Sequence, residues 1–358
     1  SRRRQSRPTE AVARAPKEQV EAIARRVSQP VAALRELLAR ETAQANERGL
    51  PQSTEALLDE LLPKRIKRTV YVRALFGLVE PFEGRLDVSA REVAEHYDKT
   101  RPNIYLAVGA LRETWAQHGA LGDLEDRAAV ILDGAGGAIP LARAAEVLVA
   151  NLPAEALGRE GPASFDLARA RAAALLRIVA EVQKSEVDGV RVARLGRGAP
   201  WLLASQDYAQ VLRRLGAAAD ALAERDVLAS PGETQRQLER LVRGSPLETA
   251  PAAQIAEWAA AASERAACSA LMEIYPGSMA AGRALELSAQ LLQSAARPRR
   301  TGEHGLTPDE VTQKVAARYP DAAPLPPRPE LDALLSRLRL EWDQEAGRYL
   351  RPGEEQAT

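Results

Sequence analysis

Residues 89–115 read SAREVAEHYDKTRPNIYLAVGALRETW, and this segment carries the clearest structural pattern in the chain. Ser89 is a typical N-cap for a short helix, and Thr100 is a typical N-cap for a longer one. Pro102 fits the first turn of the longer helix, where a missing N–H costs little. A short helix, a tight turn and a longer capped helix predict a helix-turn-helix motif.

The composition of the whole chain favours helices. Of the 358 residues, 46% are hydrophobic, 27% are charged and 4% are aromatic. Ala, Leu, Arg and Glu dominate, and these residue types lose least on entering a helix. The length predicts two or three domains. Because 49 basic residues balance 49 acidic ones, any surface that attracts nucleic acid must be a local one.

The cysteine content and the hydropathy of the chain indicate the cellular compartment of the protein. Cys268 is the only cysteine, so the chain has no intrachain disulfide and no cysteine-rich zinc site. Apolar runs in the sequence stay short of the roughly 18 residues that would cross a bilayer. We therefore expect a cytoplasmic protein with no membrane partner. Since the chain begins with Ser1 rather than methionine, we also expect it to be a piece of a longer protein.

Hydrophobic periodicity and the spacing of glycine and proline predict a mainly α protein of tandem helix-turn-helix and winged-helix units with small β-hairpin wings. A glycine turn between short strands near Val190 and Trp201 predicts one wing, and Leu340 to Leu350 predicts another. The predicted parts are a basic flexible arm at 1–17, a helical domain at 18–121 containing the helix-turn-helix at 89–115, a winged-helix-like helical domain at 122–245, a helical connector at 246–296 and a C-terminal winged-helix-like domain at 297–358.

Two local predictions concern connections. The segment Gly134-Ala135-Gly136-Gly137 is predicted to be a turn between two helices, because it lacks the strand and the lysine of a phosphate-binding loop. The alanine-rich segment from Ala252 to Met272 is predicted to be one helix, with Cys268 as a small buried thiol on it.

The sequence shows no pattern for catalysis or for a cofactor. It contains no P-loop, kinase loop set or Gly-x-Ser-x-Gly elbow. His96, His118 and His304 lack partners at metal-binding spacing. We therefore expect a chain that is not an enzyme and that holds neither a cofactor nor a metal.

The predicted interface with double-stranded DNA centres on the second helix of the motif. If this helix enters a major groove, its first turns present Thr100, Arg101, Asn103 and Tyr105 outward. Arg101 suits the O6 and N7 atoms of guanine, and Asn103 suits an adenine edge or a phosphate. The residues expected to neutralise phosphates are Lys64, Arg65, Lys67, Arg68, Lys99 and Arg112.

Several short motifs resemble a known family. The segments REVA at 91–94, TRPNI at 100–104 and LRETW at 111–115 resemble the region-4-type helix-turn-helix of bacterial sigma factors. The version they resemble is found in the carboxyl-terminal half of PglW-type serine/threonine kinases of phage-growth-limitation and BREX defence systems. Similar motifs continue as far as RYLRP at 348–352.

The resemblance covers roughly residues 60 to 352. It implies that a kinase domain precedes this piece in the full-length protein, and that the protein acts in anti-phage defence. Asp98 and Lys99 depart from the family pattern, which usually has a glycine and an apolar residue in the turn. Asp98 tolerates the left-handed conformation that such a turn needs. Leu106 departs too, because it replaces a polar position of the recognition helix.

Three functions follow from these observations. The first is a non-catalytic platform for DNA binding and protein interaction within a larger defence protein. The second is a protein–protein scaffold that recruits other defence proteins or dimerises without binding DNA. The third is a stand-alone transcription regulator. The sequence leaves the oligomeric state and the choice between DNA and RNA open.

Overall fold

The computed structural model describes residues 54–150, 162–186, 189–297 and 305–351. The predicted basic arm at 1–17 and the first part of the predicted helical domain, residues 18–53, lie outside the described residues. Within the described part, 57% of residues are helical and 9% lie in strands, and the strands form small antiparallel sheets. The prediction of a mainly α protein is confirmed.

The contacts divide the chain into two compact units, with the division after Gln210. The helices of the first unit are α1 (Thr54–Leu61), α2 (Lys67–Leu75), α3 (Ala90–His96), α4 (Arg101–Ala116), α5 (Leu121–Gly134), α6 (Leu141–Ala150) and α7 (Pro162–Val182), and its strands are β1 (Ala138–Pro140), β2 (Arg191–Leu195) and β3 (Ala199–Leu203). Helix α8 (Gln206–Ala223) spans the division. The remaining elements are α9 (Pro231–Val242), α10 (Ala252–Ala261), β4 (Ala266–Cys268), β5 (Ile274–Pro276), α11 (Ala281–Ala295), α12 (Pro308–Arg318), α13 (Glu330–Ser336), β6 (Glu341–Asp343) and β7 (Arg348–Leu350).

Helix α7 runs through the core of the first unit and packs against α1, α4, α5 and α6. Between Ala168 and Ala180 all of its alanines are buried, as are large side chains such as Leu176 and Ile178. A helix that is buried on most of its faces is stable only when other elements surround it. One core therefore extends from Leu57 to Leu202. It continues across residue 121, the predicted boundary between the first two helical domains.

The three strands of the first unit form an antiparallel sheet in the order β1-β3-β2. Leu202 on β3 faces Ile139 on β1 and Val192 on β2. The predicted pair of short strands around a glycine turn is confirmed in β2 and β3.

Strand β1 was missed, because the segment before it was predicted to be only a turn between helices. Gly137 has a φ of 89°, and a Cβ atom there would overlap the ring of Tyr208. Its carbonyl also accepts a hydrogen bond from Ala204 N at 2.8 Å. The segment from Gly134 to Gly137 therefore ends α5 and leads the chain into the sheet.

The prediction of one helix from Ala252 to Met272 is wrong, because α10 ends at Ala261 and the chain then forms β4. Asp220 accepts hydrogen bonds from Ser263 Oγ at 2.6 Å and Arg265 N at 2.9 Å. Ser263 Oγ in turn accepts from Ala266 N at 2.6 Å. These side chains satisfy backbone donors outside a helix and so stabilise its end. Cys268 therefore lies on a strand, and the stretch 246–296 contains a hairpin between its helices.

In the second unit, a hydrophobic core is formed by α11, α12, α13 and the β6–β7 hairpin. Thr307 is the N-cap of α12, and its side chain accepts a hydrogen bond from Glu310 N at 3.2 Å. Leu306 pairs with Tyr349 through two backbone hydrogen bonds of 3.0 and 2.8 Å, so this residue adds a third backbone segment to the hairpin. Among the described residues, no helix is long and apolar enough to span a membrane.

Candidate nucleic-acid interface

Helix α3 begins with the capping interaction predicted at Ser89. Ser89 Oγ accepts a hydrogen bond from Glu92 N at 3.2 Å, and the Glu92 carboxylate accepts one from Ser89 N at 2.8 Å. This reciprocal arrangement satisfies two backbone donors at the helix end. The hydrogen bonds from Ser89, together with Arg85, lower the pKa of Glu92 to about 2.

The turn between α3 and α4 depends on Asp98. Its φ of 51° lies in the left-handed region, where glycine is usual and aspartate is one of the more tolerant residues. Lys99 N donates to Ala94 O at 2.8 Å and closes the turn. Thr100 occupies the N-cap position of α4, but its side chain makes no capping hydrogen bond. The predicted position of the cap is thus right, and the predicted side-chain bond is absent.

Helix α4 has one buried face and one exposed face. The side chains of Ile104, Ala107, Val108, Leu111 and Trp115 are buried, and Trp115 Nε1 donates to Leu61 O at 2.8 Å. Five of the first six residues are exposed, and they are Arg101, Pro102, Asn103, Tyr105 and Leu106. Tyr105 and Leu106 are 60% and 69% exposed, the largest apolar exposures on this helix.

The predicted basic residues occupy two different settings. Arg101 and Lys99 are exposed and form no ion pair with a described residue. Arg112, by contrast, pairs with Glu181 on α7 at 3.1 Å, so it faces the neighbouring helix. Arg101 in the first turn of α4 and Lys99 just before the N-cap therefore keep unpaired charges, while the charge of Arg112 is neutralised within the fold.

The basic run from Lys64 to Arg68 lies before and at the start of α2. Lys64 pairs with Asp59 at 2.8 Å, and Asp59 also accepts from Arg73 at 3.0 Å. Arg65, Lys67 and Arg68 are exposed. No residue of this run lines the cleft that lies between α3, α4, α7 and the β2–β3 hairpin.

That cleft has a volume of about 580 Å³ and is bordered by α3, α4, α7 and the β2–β3 hairpin. Arg101 and Tyr105 lie on its α4 side, and Lys184 and Arg194 lie on the side of α7 and the hairpin. Its apolar lining includes Leu75, Phe76, Val88, Val192 and Pro200. The structure therefore places part of the predicted interface at the edge of a basic concavity.

Two arginines that the sequence analysis did not select hold this region together. Arg177 is 7% exposed and donates to Leu75 O at 2.9 Å and to Leu86 O. Arg194 donates to Asp87 O at 2.9 Å and to Val88 O at 2.7 Å. The sequence indicates a structural role for Arg177, because this arginine lies within an otherwise apolar helical stretch and a buried arginine needs hydrogen-bond acceptors. Arg194 gave no comparable signal, since charged residues are common in exposed strands.

The second unit contains two polar networks with structural roles. Arg318 binds Glu273 at 2.8 and 3.1 Å, and Tyr319 Oη donates to the same carboxylate at 3.1 Å. The guanidinium of Arg328 stacks 3.5 Å from the ring centre of Trp342.

Burial raises the pKa of the Cys268 thiol to about 12, which keeps it protonated at neutral pH.

The described residues contain no cluster of His, Cys, Asp and Glu that would hold a metal ion. No family model, curated protein or solved structure matches the chain. The chemistry available at the α3–α4 face is that of exposed arginine, lysine, amide and phenol groups. These groups donate hydrogen bonds and attract anions.

Proposed function

We propose that this chain is a DNA-binding module in which α3 and α4 form a helix-turn-helix and α4 enters the major groove. The observation that carries the proposal is the exposed first turn of α4, where Arg101 and Asn103 project beside Lys99 without carboxylate partners among the described residues. An arginine in this position matches guanine O6 and N7, and an asparagine matches an adenine edge.

The order of elements supports further winged-helix units. From α5 to β3 the order is helix, strand, two helices and hairpin, with the first strand paired to the last. From α11 to β7 the order is the same, with Leu306 paired to Tyr349 in the place of the first strand. Helices α8, α9 and α10 with the β4–β5 hairpin repeat the order without that strand. We infer three such units after the helix-turn-helix.

The three units differ from α4 in the helix that precedes each hairpin. Helix α7 is buried on most sides. Helix α10 begins with Ala252, Ala253 and Gln254, and α13 has Glu330 and Asp332 in its first turn. An acidic helix start repels phosphate, and an uncharged one lacks the lysine or arginine that neutralises phosphate charge. We therefore assign DNA contact to α4 and protein packing to these three helices.

The resemblance to the carboxyl-terminal half of PglW-type kinases supports a setting for this activity. In that setting the chain is a non-catalytic platform of a larger anti-phage defence protein, and the kinase domain lies elsewhere in that protein. DNA binding through α4 would localise the larger protein, while the winged-helix units would contact other defence proteins.

The test is fluorescence anisotropy of the chain with labelled duplex DNA at several salt concentrations. The Arg101→Ala, Asn103→Ala double variant removes the proposed base contacts, and Arg236→Ala is a control that removes one exposed charge from α9. We expect binding that falls steeply with salt, weakens in the double variant and persists in the control. Absence of binding by the unaltered chain at about 50 mM salt, where non-specific contacts persist, would refute the proposal.

A second candidate is a protein–protein scaffold, and the exposure of Tyr105 and Leu106 favours it. Two adjacent large apolar side chains on a helix surface suit a protein contact better than a DNA groove. The variant Leu106→Gln separates the two functions. It removes apolar area while leaving Arg101 and Asn103 intact, so DNA binding is retained if α4 binds DNA and partner binding is lost if α4 binds protein.

A further inference from the structure

We propose that the cleft bordered by α3, α4, α7 and the β2–β3 hairpin binds a nucleotide, that is, a nucleoside that carries phosphate. The proposal concerns a bound ligand within the first unit and does not depend on whether α4 binds duplex DNA. It rests on the charge of the cleft, on the way two of its arginines are held, and on its apolar lining and size.

The charge of the lining is strongly positive. Arg101, Arg177, Lys184 and Arg194 line the cleft, together with Arg91, whose charge is already paired with Glu95 at 2.6 Å. The carboxylate among the lining residues is Glu181, which already pairs with Arg112 at 3.1 Å and lies 3.5 Å from Lys184. Cations in a concave, partly apolar site reinforce one another and raise the local concentration of anions.

Arg177 and Arg194 are fixed by backbone carbonyls and not by carboxylates. Arg177 donates to Leu75 and Leu86, and Arg194 donates to Asp87 and Val88. The hydrogen bonds satisfy these donors without a carboxylate in direct contact, and only the Asp87 carboxylate acts on Arg177 from a longer distance. Burial and the nearby Arg194 lower the pKa of Arg177 to about 10, which still leaves it charged at neutral pH. An anionic ligand would compensate both charges.

The apolar lining and the volume of the cleft favour a ligand larger than a phosphate ion. Phe76, Val88, Val192 and Pro200 provide apolar surface, and the ring of Tyr105 borders the cleft on the α4 side. The volume of about 580 Å³ lies in the range of small-molecule sites, which are mostly apolar with a few polar groups that fix orientation. A planar base fits the apolar surface and a phosphate fits the cations, and a nucleotide joins both groups. A free mononucleotide and the phosphorylated end of a single strand both supply this combination of groups.

The experiment is isothermal titration calorimetry of the full chain with AMP, adenosine, inorganic phosphate and a 5′-phosphorylated single-stranded trinucleotide. We expect AMP to bind more tightly than adenosine or phosphate alone. A trinucleotide that binds more tightly than AMP identifies a strand end as the source, and an equal or weaker one identifies a free nucleotide. The proposal is overturned if neither AMP nor the trinucleotide binds at about 5 mM, which is weaker than typical specific binding. It is also overturned if adenosine or phosphate binds as well as AMP.

Two variants locate the binding. Arg101→Ala with Lys184→Ala removes two cations from the cleft, and Arg236→Ala with Arg240→Ala removes two exposed cations from α9. We expect the first pair to weaken AMP binding about tenfold or more and the second to leave it unchanged. Val192→Trp tests the same site by filling it while every charge stays. Retained AMP binding in both cleft variants, with thermal unfolding showing that they are folded, would overturn the assignment.

Discussion

Arg194 on β2 donates a hydrogen bond from Nη2 to the backbone carbonyl of Val88 at 2.7 Å, although the two residues are 106 positions apart in the chain. Val88 immediately precedes Ser89, the N-cap of α3, and its side chain is fully buried. The β2–β3 hairpin is thus attached to the start of the helix pair. The geometry of the proposed DNA-binding helices therefore depends on a strand far away in sequence.

Replacing Arg194 by alanine should lower stability. The Asp87 carbonyl is exposed and can bond to water instead, but the part-buried Val88 carbonyl would lose its donor, at a cost of about 1 to 3 kcal/mol. The measurement is the free energy of unfolding in urea. Arg194→Lys is the matched control, and it should recover part of the loss because lysine keeps the charge but lacks the planar pair of donors. Equal stability of the alanine variant and the unaltered chain would contradict the structural role of this contact.

Arg177→Met should destabilise the first unit more than a surface change does. The substitution keeps an apolar stem but leaves the carbonyls of Leu75 and Leu86 unpaired, at about 1 to 3 kcal/mol for each. It also removes the cation 5.7 Å from the ring centre of Phe76. Arg171→Met on the same helix is the control, because its ion pair with the largely exposed Glu55 contributes about 0 to 1 kcal/mol. Chemical denaturation of both variants gives the comparison, and equal losses would count against the buried role of Arg177.

The acid stability of the chain should depend on Glu92. Its pKa in the folded chain is about 2, against an ordinary value of 4.5, because Ser89 and Arg85 stabilise the ionised carboxylate. A lowered pKa contributes stability that is fully present above pH 4.5 and is lost as the pH falls from 4.5 towards 2.

Glu92→Gln keeps a hydrogen-bond acceptor for Ser89 N but removes this titration. We expect the variant to lose less stability than the unaltered chain between pH 4.5 and pH 2, as measured by thermal unfolding across that window. Glu95→Gln, which changes an exposed carboxylate on the same helix, is the control. Superimposable acid profiles for Glu92→Gln and the unaltered chain would refute the link.

Features that depend on neighbouring residues were predictable from the sequence. Ser89 and Thr307 are followed three residues later by a glutamate, a spacing that favours a reciprocal cap, and both form one. Ile104 and Leu111 lie seven residues apart, a spacing that places both on one face of a helix, and both are buried. The tolerance of Asp98 for the left-handed turn followed from its residue type.

Features that depend on distant contacts were not predictable in the same way. Strand β1 is three residues long, too short for an alternating pattern, and it exists because β3 pairs with it. Helix α10 ends because Asp220, about forty positions earlier, binds the backbone beyond it. The ion pair of Arg112 with Glu181 likewise joins residues 69 positions apart. Sequence periodicity carries no information on such pairings.

If α4 reads bases, substitution of Arg101, a base contact, and substitution of Lys67, a phosphate contact, should affect DNA binding differently. Arg101→Ala should cost about 1 to 3 kcal/mol on a preferred DNA site and should relax the preference at that base pair. Lys67→Ala should weaken binding to all sequences alike and reduce the salt dependence, because a phosphate contact carries no sequence information. The measurement is anisotropy of both variants against a selected duplex and a scrambled one of equal length, at two or more salt concentrations. Equal small losses from both substitutions on both duplexes would show that α4 does not recognise sequence, and the exposed Leu106 would then mark a protein-contact face.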